Sequence, residues 1–287
     1  MYISSDWKDY ELLDASDGER LEKWGNYVLI RPDPQVIWKN EKHHPLWKKP
    51  DASYRRQGGG GEWSQNKLPA EWTVGYGNLS FIIRPMGFKH TGLFPEQATN
   101  WDWMGELIRN AGRPIRVLNL FAYTGGATIA CAAAGASVCH VDASKGMVAY
   151  AKENAKENGL ENAPIRYIVD DCQKFAEREI RRGHQYDAII MDPPSYGRGP
   201  GGEVWKLEDS VDELVGLAAR LVSDDALFFL INSYTTGLSA STMKYMTSYR
   251  ILAKHNGKIE AEELGLPVKR TGLALPCGSS VRVAFDE

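Results

Sequence analysis

The chain is 287 residues long, with 43% hydrophobic and 25% charged residues, a formal net charge of −3 and four cysteines. Such values exclude wholesale disorder and a strongly basic protein that coats nucleic acid. The longest apolar runs, such as 226–231, fall far short of the roughly 20 residues that cross a bilayer as a helix. The acidic N-terminus has no signal-peptide core, so a cytoplasmic protein without membrane attachment is expected. Cys131, Cys139, Cys172 and Cys277 show no CxxC spacing and are expected as free thiols.

Short strand-like runs come first, over residues 10–14, 26–31, 35–38, 71–76 and 79–84. Asp17-Gly18 and Gly77-Asn78 supply turns between such runs, so this part reads as a small antiparallel β module. Six of the nine tryptophans lie within the first 72 residues. Residues 39–67 carry seven Lys/Arg against three acids, a net +4, after a net −4 over residues 1–38. Trp47, Tyr54 and Trp63 are interleaved with those cations. Cations attract phosphate and aromatic faces stack on unpaired bases, which makes the segment a candidate RNA contact. The alternative is a solvated loop whose aromatics tuck against the β module.

From Pro95 onward the pattern alternates. Helices are predicted over 95–110, 127–134, 145–158, 173–182, 208–221 and 239–255. Strands are predicted over 115–121, 137–141, 165–169, 186–191 and 226–232, then 258–264 and 280–285 with no helix between. Repeated βα units predict an α/β fold with a parallel, doubly wound sheet. A final strand pair without a crossover helix requires one antiparallel strand.

Ligands of such sheets sit at the carboxyl ends of the strands. After the first strand comes Phe121-Ala122-Tyr123-Thr124-Gly125-Gly126, where glycines admit a ligand close to the backbone. Asp142 ends the second strand and is placed to accept from a ribose diol. The dinucleotide fingerprint GxGxxG is absent, which disfavours a nicotinamide oxidoreductase. After the third strand stand Asp170 and Asp171; one suits an adenine amino group, and the other suits a helix cap. After the fourth comes Asp192-Pro193-Pro194-Ser195-Tyr196, a stiff loop able to orient an amine through a carboxylate and backbone carbonyls. That arrangement suits methyl transfer, which chiefly demands positioning. Residues 197–206, with four glycines and ending in Trp205 and Lys206, are either a lid over the acceptor or a surface loop anchored by Trp205. His43 and His44 have no ligating companions, so no metal site is expected.

VLNLFAYTGGAT, VDASKGMVAYAKENAKENGL, VDDCQKF and IIMDPPSYGRGP occur in that order. Together they resemble the class I S-adenosylmethionine-dependent methyltransferases. More closely, the chain is similar to the bacterial large-subunit rRNA methyltransferases that make 5-methylcytosine or 7-methylguanine. The segment 89–97, KHTGLFPEQ, resembles an upstream element of that family. The resemblance implies a Rossmann-like, seven-stranded sheet over residues 89–287, preceded by a β-rich module over 1–88. S-adenosylmethionine is the implied cofactor. Phe121, Tyr123, Thr124, Gly125 and Gly126 are then assigned to it, Asp142 to its ribose, and Asp171 with Cys172 to its adenine. Thr91, Gly92 and Gln97 line its near side, and Asp192, Pro193, Pro194 and Tyr196 face the methyl group and the acceptor.

Two features depart from the family. Its cytosine members end the fifth strand in Ser-Cys-Ser-Gly, whereas 232–237 here is NSYTTG. A carbon acceptor needs a thiolate to activate it, and Cys277 is the remaining candidate for that role. A nitrogen or oxygen acceptor, most simply on RNA, is therefore expected; a protein or small-molecule substrate, and a non-catalytic RNA-binding protein on the same scaffold, are the alternatives. In addition, the Trp-rich module replaces the family's recognisable RNA-binding appendage.

Overall fold

The computed structural model describes residues 1–57, 60–64, 67–198 and 204–286. The chain divides into two units: Met1–Thr99 with Leu264–Cys277, and Asn100–Glu263 with Gly278–Glu287.

In the first unit, β1 (Tyr2–Ile3) pairs in parallel with Leu264 and Gly265. β2 (Tyr10–Ser16), β3 (Glu19–Trp24) and β4 (Tyr27–Pro32) form an antiparallel meander. Asp17 and Gly18 make its first turn with both φ angles positive, the twist that joins tight hairpins. β5 (Ala52–Gln57) then pairs parallel to β4, and β6 (Gly60–Ser64) antiparallel to β5. β7 (Trp72–Tyr76) and β8 (Leu79–Ile83) close a separate hairpin.

Sequence patterning misses β3 because Glu19, Arg20, Glu22 and Lys23 leave only Leu21 and Trp24 apolar. It also misses β5 and β6 inside the basic segment, and the parallel β4–β5 pair corrects the expected all-antiparallel module. Residues 35–38 are not a strand. The Asp33 carboxylate takes the Gln35 N–H, and the Val36 and Trp38 carbonyls accept from the Gly18 and Asp17 turn. The aromatics of the basic segment are not free for bases either. Trp47 and Tyr54 are buried and Trp63 half-buried. Trp47 Nε1 donates to Asp14 Oδ2 (2.9 Å), Tyr54 Oη to the Gly87 carbonyl (3.1 Å) and Trp63 Nε1 to the Met86 carbonyl (2.8 Å). Burying these rings gains more than exposing them, so the tucked alternative holds. Gly58 and Gly59 of the same segment lie outside the described residues.

The second unit begins within α1 (Ala98–Asn110). β9 (Arg116–Leu120), α2 (Gly126–Ala133), β10 (Ser137–Asp142), α3 (Lys145–Glu157), β11 (Ile165–Val169) and α4 (Cys172–Arg181) follow. Then come β12 (Ala188–Met191), a small ribbon of β13 (Tyr196–Arg198) and β14 (Val204–Lys206), α5 (Leu207–Ala219), β15 (Phe228–Ser233) and α6 (Ala240–Ile251). β16 (Gly257–Pro267) and β17 (Ala274–Phe285) complete the chain.

The strands lie in the order β16-β17-β15-β12-β9-β10-β11. β9, β10, β11, β12 and β15 are parallel, and β17 runs antiparallel to β15, as the missing crossover helix requires. β1 extends this order as an unexpected eighth strand beside β16. The direction in which successive strands are added across the sheet reverses between β9, which leads to β10, and β12, which leads to β15. The crevice of a doubly wound sheet therefore opens at the carboxyl ends of β9 and β12. Beneath it, Leu118, Leu120, Ile189, Met191, Phe229 and Ile231 belong to one fully buried cluster.

The first unit is organised around a buried acid. Glu22 has no exposed surface; Arg31 Nε and Nη2 clasp its two carboxylate oxygens at 2.6 and 2.7 Å, and Tyr10 Oη donates at 2.8 Å. Burial alone would raise the Glu22 carboxyl, but Arg31, then Arg20, outweigh it and hold it at about 2. Glu22→Gln leaves Arg31 buried without its counter-ion, so the urea midpoint should fall by the equivalent of about 3–5 kcal/mol. The sign with pH is fixed. The ionic stabilisation is full above the unfolded Glu value of about 4.3 and disappears as pH falls through about 2. Stability measured between those limits should slope less in the variant than in the parent.

Candidate active site

β9 ends in a loop of unusual backbone. Phe121 (φ 57°), Tyr123 (φ 51°) and Gly125 (φ 88°) are all left-handed. For residues with side chains such conformations cost of order 1–3 kcal/mol each and persist only where neighbours impose them. Here the neighbours are explicit. Phe121 N–H donates to Cys172 Sγ (3.2 Å), Ala122 N–H to the Val141 carbonyl (3.0 Å) and Tyr123 N–H to Asp142 Oδ2 (2.9 Å). Asn154, buried on α3, donates to the Thr124 carbonyl at 2.8 Å. Below the loop, Asn119 Nδ2 donates to Thr128 Oγ1 (2.9 Å), which lies 2.8 Å from His140 Nδ1. Burial lowers His140 to about 4, so this layer stays uncharged at neutral pH.

The two glycines are required by space. A Cβ on Gly125 would lie 2.9 Å from Ala151 Cβ, and one on Gly126 would lie 2.9 Å from the Trp101 ring. The loop therefore opens α2 with bare backbone and no side chain over its first N–H groups, a cradle for a polar ligand. Asp142 projects beside it. Its Oδ2 accepts from Tyr123 and its Oδ1 from Ser144 N–H at 2.8 Å, which leaves each oxygen a further lone pair for a diol.

The paired acids after β11 separate into two roles. Asp170 pairs with Arg178. Asp171 caps α4, with Oδ1 accepting from Lys174 N–H at 2.9 Å, and is exposed. The adjacent Cys172 is buried, bonded at sulfur to Phe121 N–H and the Val141 carbonyl, and its thiol is pushed far up by burial. Its side chain supports the loop; only its backbone is left to meet a ligand.

Asp192 follows β12, its N–H directed at the Leu120 carbonyl of β9 at 3.4 Å. Pro193 is buried and Pro194 exposed. Trp205 Nε1 donates to the Pro194 carbonyl at 2.7 Å, Leu207 N–H donates to the Ser195 carbonyl at 3.1 Å, and the Trp205 and Phe121 rings lie 6.1 Å apart. Tyr196 stands half-exposed on β13, opposite Lys206 on β14. Trp205 is thus an anchor of the Asp-Pro-Pro loop, in line with the second of the two readings of 197–206; residues 199–203 of that segment lie outside the described residues.

Phe121, Tyr123, Thr124, Gly125, Gly126, Asp142, Asp171, Cys172, Asp192, Pro193, Pro194 and Tyr196 all fall at the carboxyl ends of β9–β12 in the second unit. Thr91, Gly92 and Gln97 belong to the first unit. There Thr91 and Gln97 are buried, Gly92 is left-handed (φ 92°), and Gln97 ends a short 3-10 turn begun by Pro95. Sequence reading missed Ser144, Asn154 and the Asn119–Thr128–His140 layer, which announce themselves only through their partners. Cys277 is buried, with Sγ 3.4 Å from the Leu275 carbonyl, and burial, then Glu96, raises its thiol well above the ordinary range. Buried and without an exposed, electropositive setting, it offers no support for a nucleophilic role. Among the described residues no cluster of three potential metal ligands occurs, and no helix is long and apolar enough to cross a membrane.

The family model for S-adenosylmethionine-dependent methyltransferases matches residues 43–242. The chain belongs to that family. A solved S-adenosylmethionine-dependent methyltransferase from Agrobacterium tumefaciens is 36% identical, covers 98% of this chain and 92% of its own, and superposes with a TM-score of 0.92. Ribosomal RNA large subunit methyltransferase K/L of Shewanella baltica (strain OS195) is 36% identical over 240 residues, 74% of this chain and 32% of that protein. The same enzyme of Shewanella sp. (strain MR-4) is 32% identical over 205 residues, 68% of this chain and 26% of its own length. This chain thus spans between a quarter and a third of those curated relatives. A methyltransferase from Streptococcus mutans, at 18% identity and a TM-score of 0.75 over 97% of this chain and 76% of its own, shares the fold. The bare-backbone cradle and the doubly held Asp142 carboxylate fit the family's cofactor, S-adenosylmethionine, in this methyltransferase.

All four cysteines are buried, and burial raises Cys131 to about 12 and Cys139 to about 11. Native protein at pH 8 should therefore show no rapidly reacting thiol with a chromogenic disulfide, and four after denaturation. A fast equivalent that Cys277→Ala removes would restore the nucleophile reading.

Proposed function

We propose that this methyltransferase acts on RNA, delivering the methyl group directly to a nitrogen or oxygen atom without a covalent enzyme intermediate. The observation that carries the reading is the Asp192-Pro193-Pro194 loop at the end of β12, tied at Asp192 N–H to the end of β9, where the cofactor cradle begins. Bound S-adenosylmethionine supplies an electrophilic methyl on a sulfonium. The chain's own residues do the positioning. Asp142 accepts from the ribose hydroxyls, Asp171 with the Cys172 backbone meets the adenine, and the Tyr123–Gly126 backbone takes the amino-acid end. Asp192 accepts a hydrogen bond from an acceptor N–H or O–H, which directs the acceptor lone pair along the line of transfer; Tyr196 stacks on the acceptor ring. Asp192 or water would take up the proton that the acceptor loses. Alignment of this kind is the main catalytic contribution such a transfer needs.

RNA is favoured as substrate because the Shewanella relatives are ribosomal RNA methyltransferases by name, and by the basic segment of the first unit. The burial of Cys277 favours a heteroatom over cytosine C5. The functional division is placed at residues 1–88 for an RNA-facing module and 89–287 for the catalytic domain. Four unpaired buried thiols suit a reducing cytoplasm.

Two substitutions separate binding from transfer. Asp142→Ala removes a charged hydrogen-bond acceptor worth about 1.5–3 kcal/mol, so calorimetry should show cofactor affinity about 10–100-fold weaker. Asp192→Ala should keep cofactor affinity within about threefold yet lower labelled-methyl incorporation into ribosomal RNA by about 100-fold or more. Unchanged incorporation in the Asp192 variant would remove that loop from the chemistry. Label found in protein or metabolites, with none in RNA, would replace the substrate class.

A further inference from the structure

The aromatics of the basic segment do not face solvent, but two of them hold out another ring. Tyr54 Oη and Trp63 Nε1 bind the carbonyls of Gly87 and Met86, and Arg31 Nη1 binds the Lys89 carbonyl at 3.1 Å. Met86 N–H returns to the His90 carbonyl (3.2 Å) and Arg84 N–H to the Thr91 carbonyl (3.0 Å), closing the loop on itself. Tied at three of its four carbonyls, the loop 86–89 leaves Phe88 67% exposed.

The charge around that ring does not balance. Glu22 is occupied by Arg31, and Asp33 by Arg20 at 3.2 Å. Arg56 lies on the same face of β5 as Tyr54, and among the described residues neither it nor Lys89 forms an ion pair. Lys89 Nζ donates only to the Pro32 carbonyl, at 3.2 Å. Burial first, then Arg20, Arg31 and Arg56 against a partly offsetting Asp33, lowers its ammonium to about 8. His90, lowered to about 4 by burial and by Arg31, Lys89 and Arg20, adds no charge at neutral pH.

We propose that Phe88 with Arg56 and Lys89 forms a docking surface for single-stranded RNA, the ring stacking on one unpaired base and the cations meeting the phosphates beside it. The proposal rests on the RNA reading of the substrate and deepens it. An exposed ring between cations suits unpaired bases, because a duplex hides its base faces while offering the same phosphates. The loop runs directly into Thr91 and Gly92, so the surface adjoins in sequence an element assigned to the cofactor.

Fluorescence anisotropy with a labelled 12-nucleotide RNA of mixed sequence, and with its duplex, tests this across 50–200 mM salt. Phe88→Ala should weaken single-strand binding by about tenfold and leave duplex binding within twofold. Arg56→Gln should reduce the logarithmic salt slope by about 0.7, the value of one single-strand phosphate contact. Arg56 is solvent-exposed, so its variant carries no folding risk, and cofactor affinity by calorimetry should be unchanged in both. If the parent binds single-stranded RNA and both variants match it in affinity and slope, the surface is wrong and the RNA reading stands. If the parent binds neither RNA, both fall. A drop confined to the duplex, or displacement of the RNA by an acidic peptide alone, also overturns the stacking surface.

Discussion

The rim of the second unit depends on one backbone distortion, the left-handed Phe121 and Tyr123 at the end of β9. Their strain is of order 1–3 kcal/mol each. The bonds that oppose it run to Cys172 Sγ and to the Asp142 carboxylate, and a hydrogen bond to a charged group contributes about 1.5–3 kcal/mol. One carboxylate therefore has two tasks, imposing the conformation on Tyr123 and presenting acceptors for a ribose. A substitution at Asp142 disturbs both at once, whereas Cys172 acts on the conformation alone.

In the first unit the tryptophans serve as fasteners. The indoles of Trp7, Trp38, Trp63 and Trp72 each donate to a backbone carbonyl, and that of Trp47 donates to the buried Asp14. Each such bond contributes about 1 kcal/mol, and the rings add apolar burial around short strands that could not form a large core by themselves. Charge is treated in the same way. Glu22 and Asp14 have no exposed surface, and each is matched by arginine, Arg31 for one and Arg270 for the other. Among the described residues, Arg56 on β5 and Lys89 in the loop before Thr91 are among the cations left without a carboxylate partner.

Much of the second unit was legible in the sequence. The βα alternation predicted the parallel strands, and the missing final crossover predicted the reversal of β17, since both follow from local periodicity and connection length. The ligand-facing residues of β9, β10 and β12 were legible because a doubly wound sheet places its strand ends together whatever its helices contain. Asn154, Ser144 and His140 were not, because nothing in their local pattern distinguishes a loop support from an ordinary polar residue. In the first unit the charged β3 defeated the search for alternation, and β5 and β6 were concealed by the same positive charge that suggested a nucleic-acid loop.

The sequence by itself determined the class of sheet, the family and the order of the strand-end motifs, because periodicity and spacing are local properties that survive without contacts. Tertiary structure alone decided what each group is free to do. Packing turned Trp47, Tyr54 and Trp63 inward, bound Trp205 to the Pro194 carbonyl and buried the Cys277 thiol. It also left Phe88, an unremarked residue in the sequence, facing water. The physical reason is common to all of these. Whether an aromatic ring or a thiol acts outward depends on which distant carbonyl, carboxylate or apolar wall reaches it first, and only the folded chain specifies that.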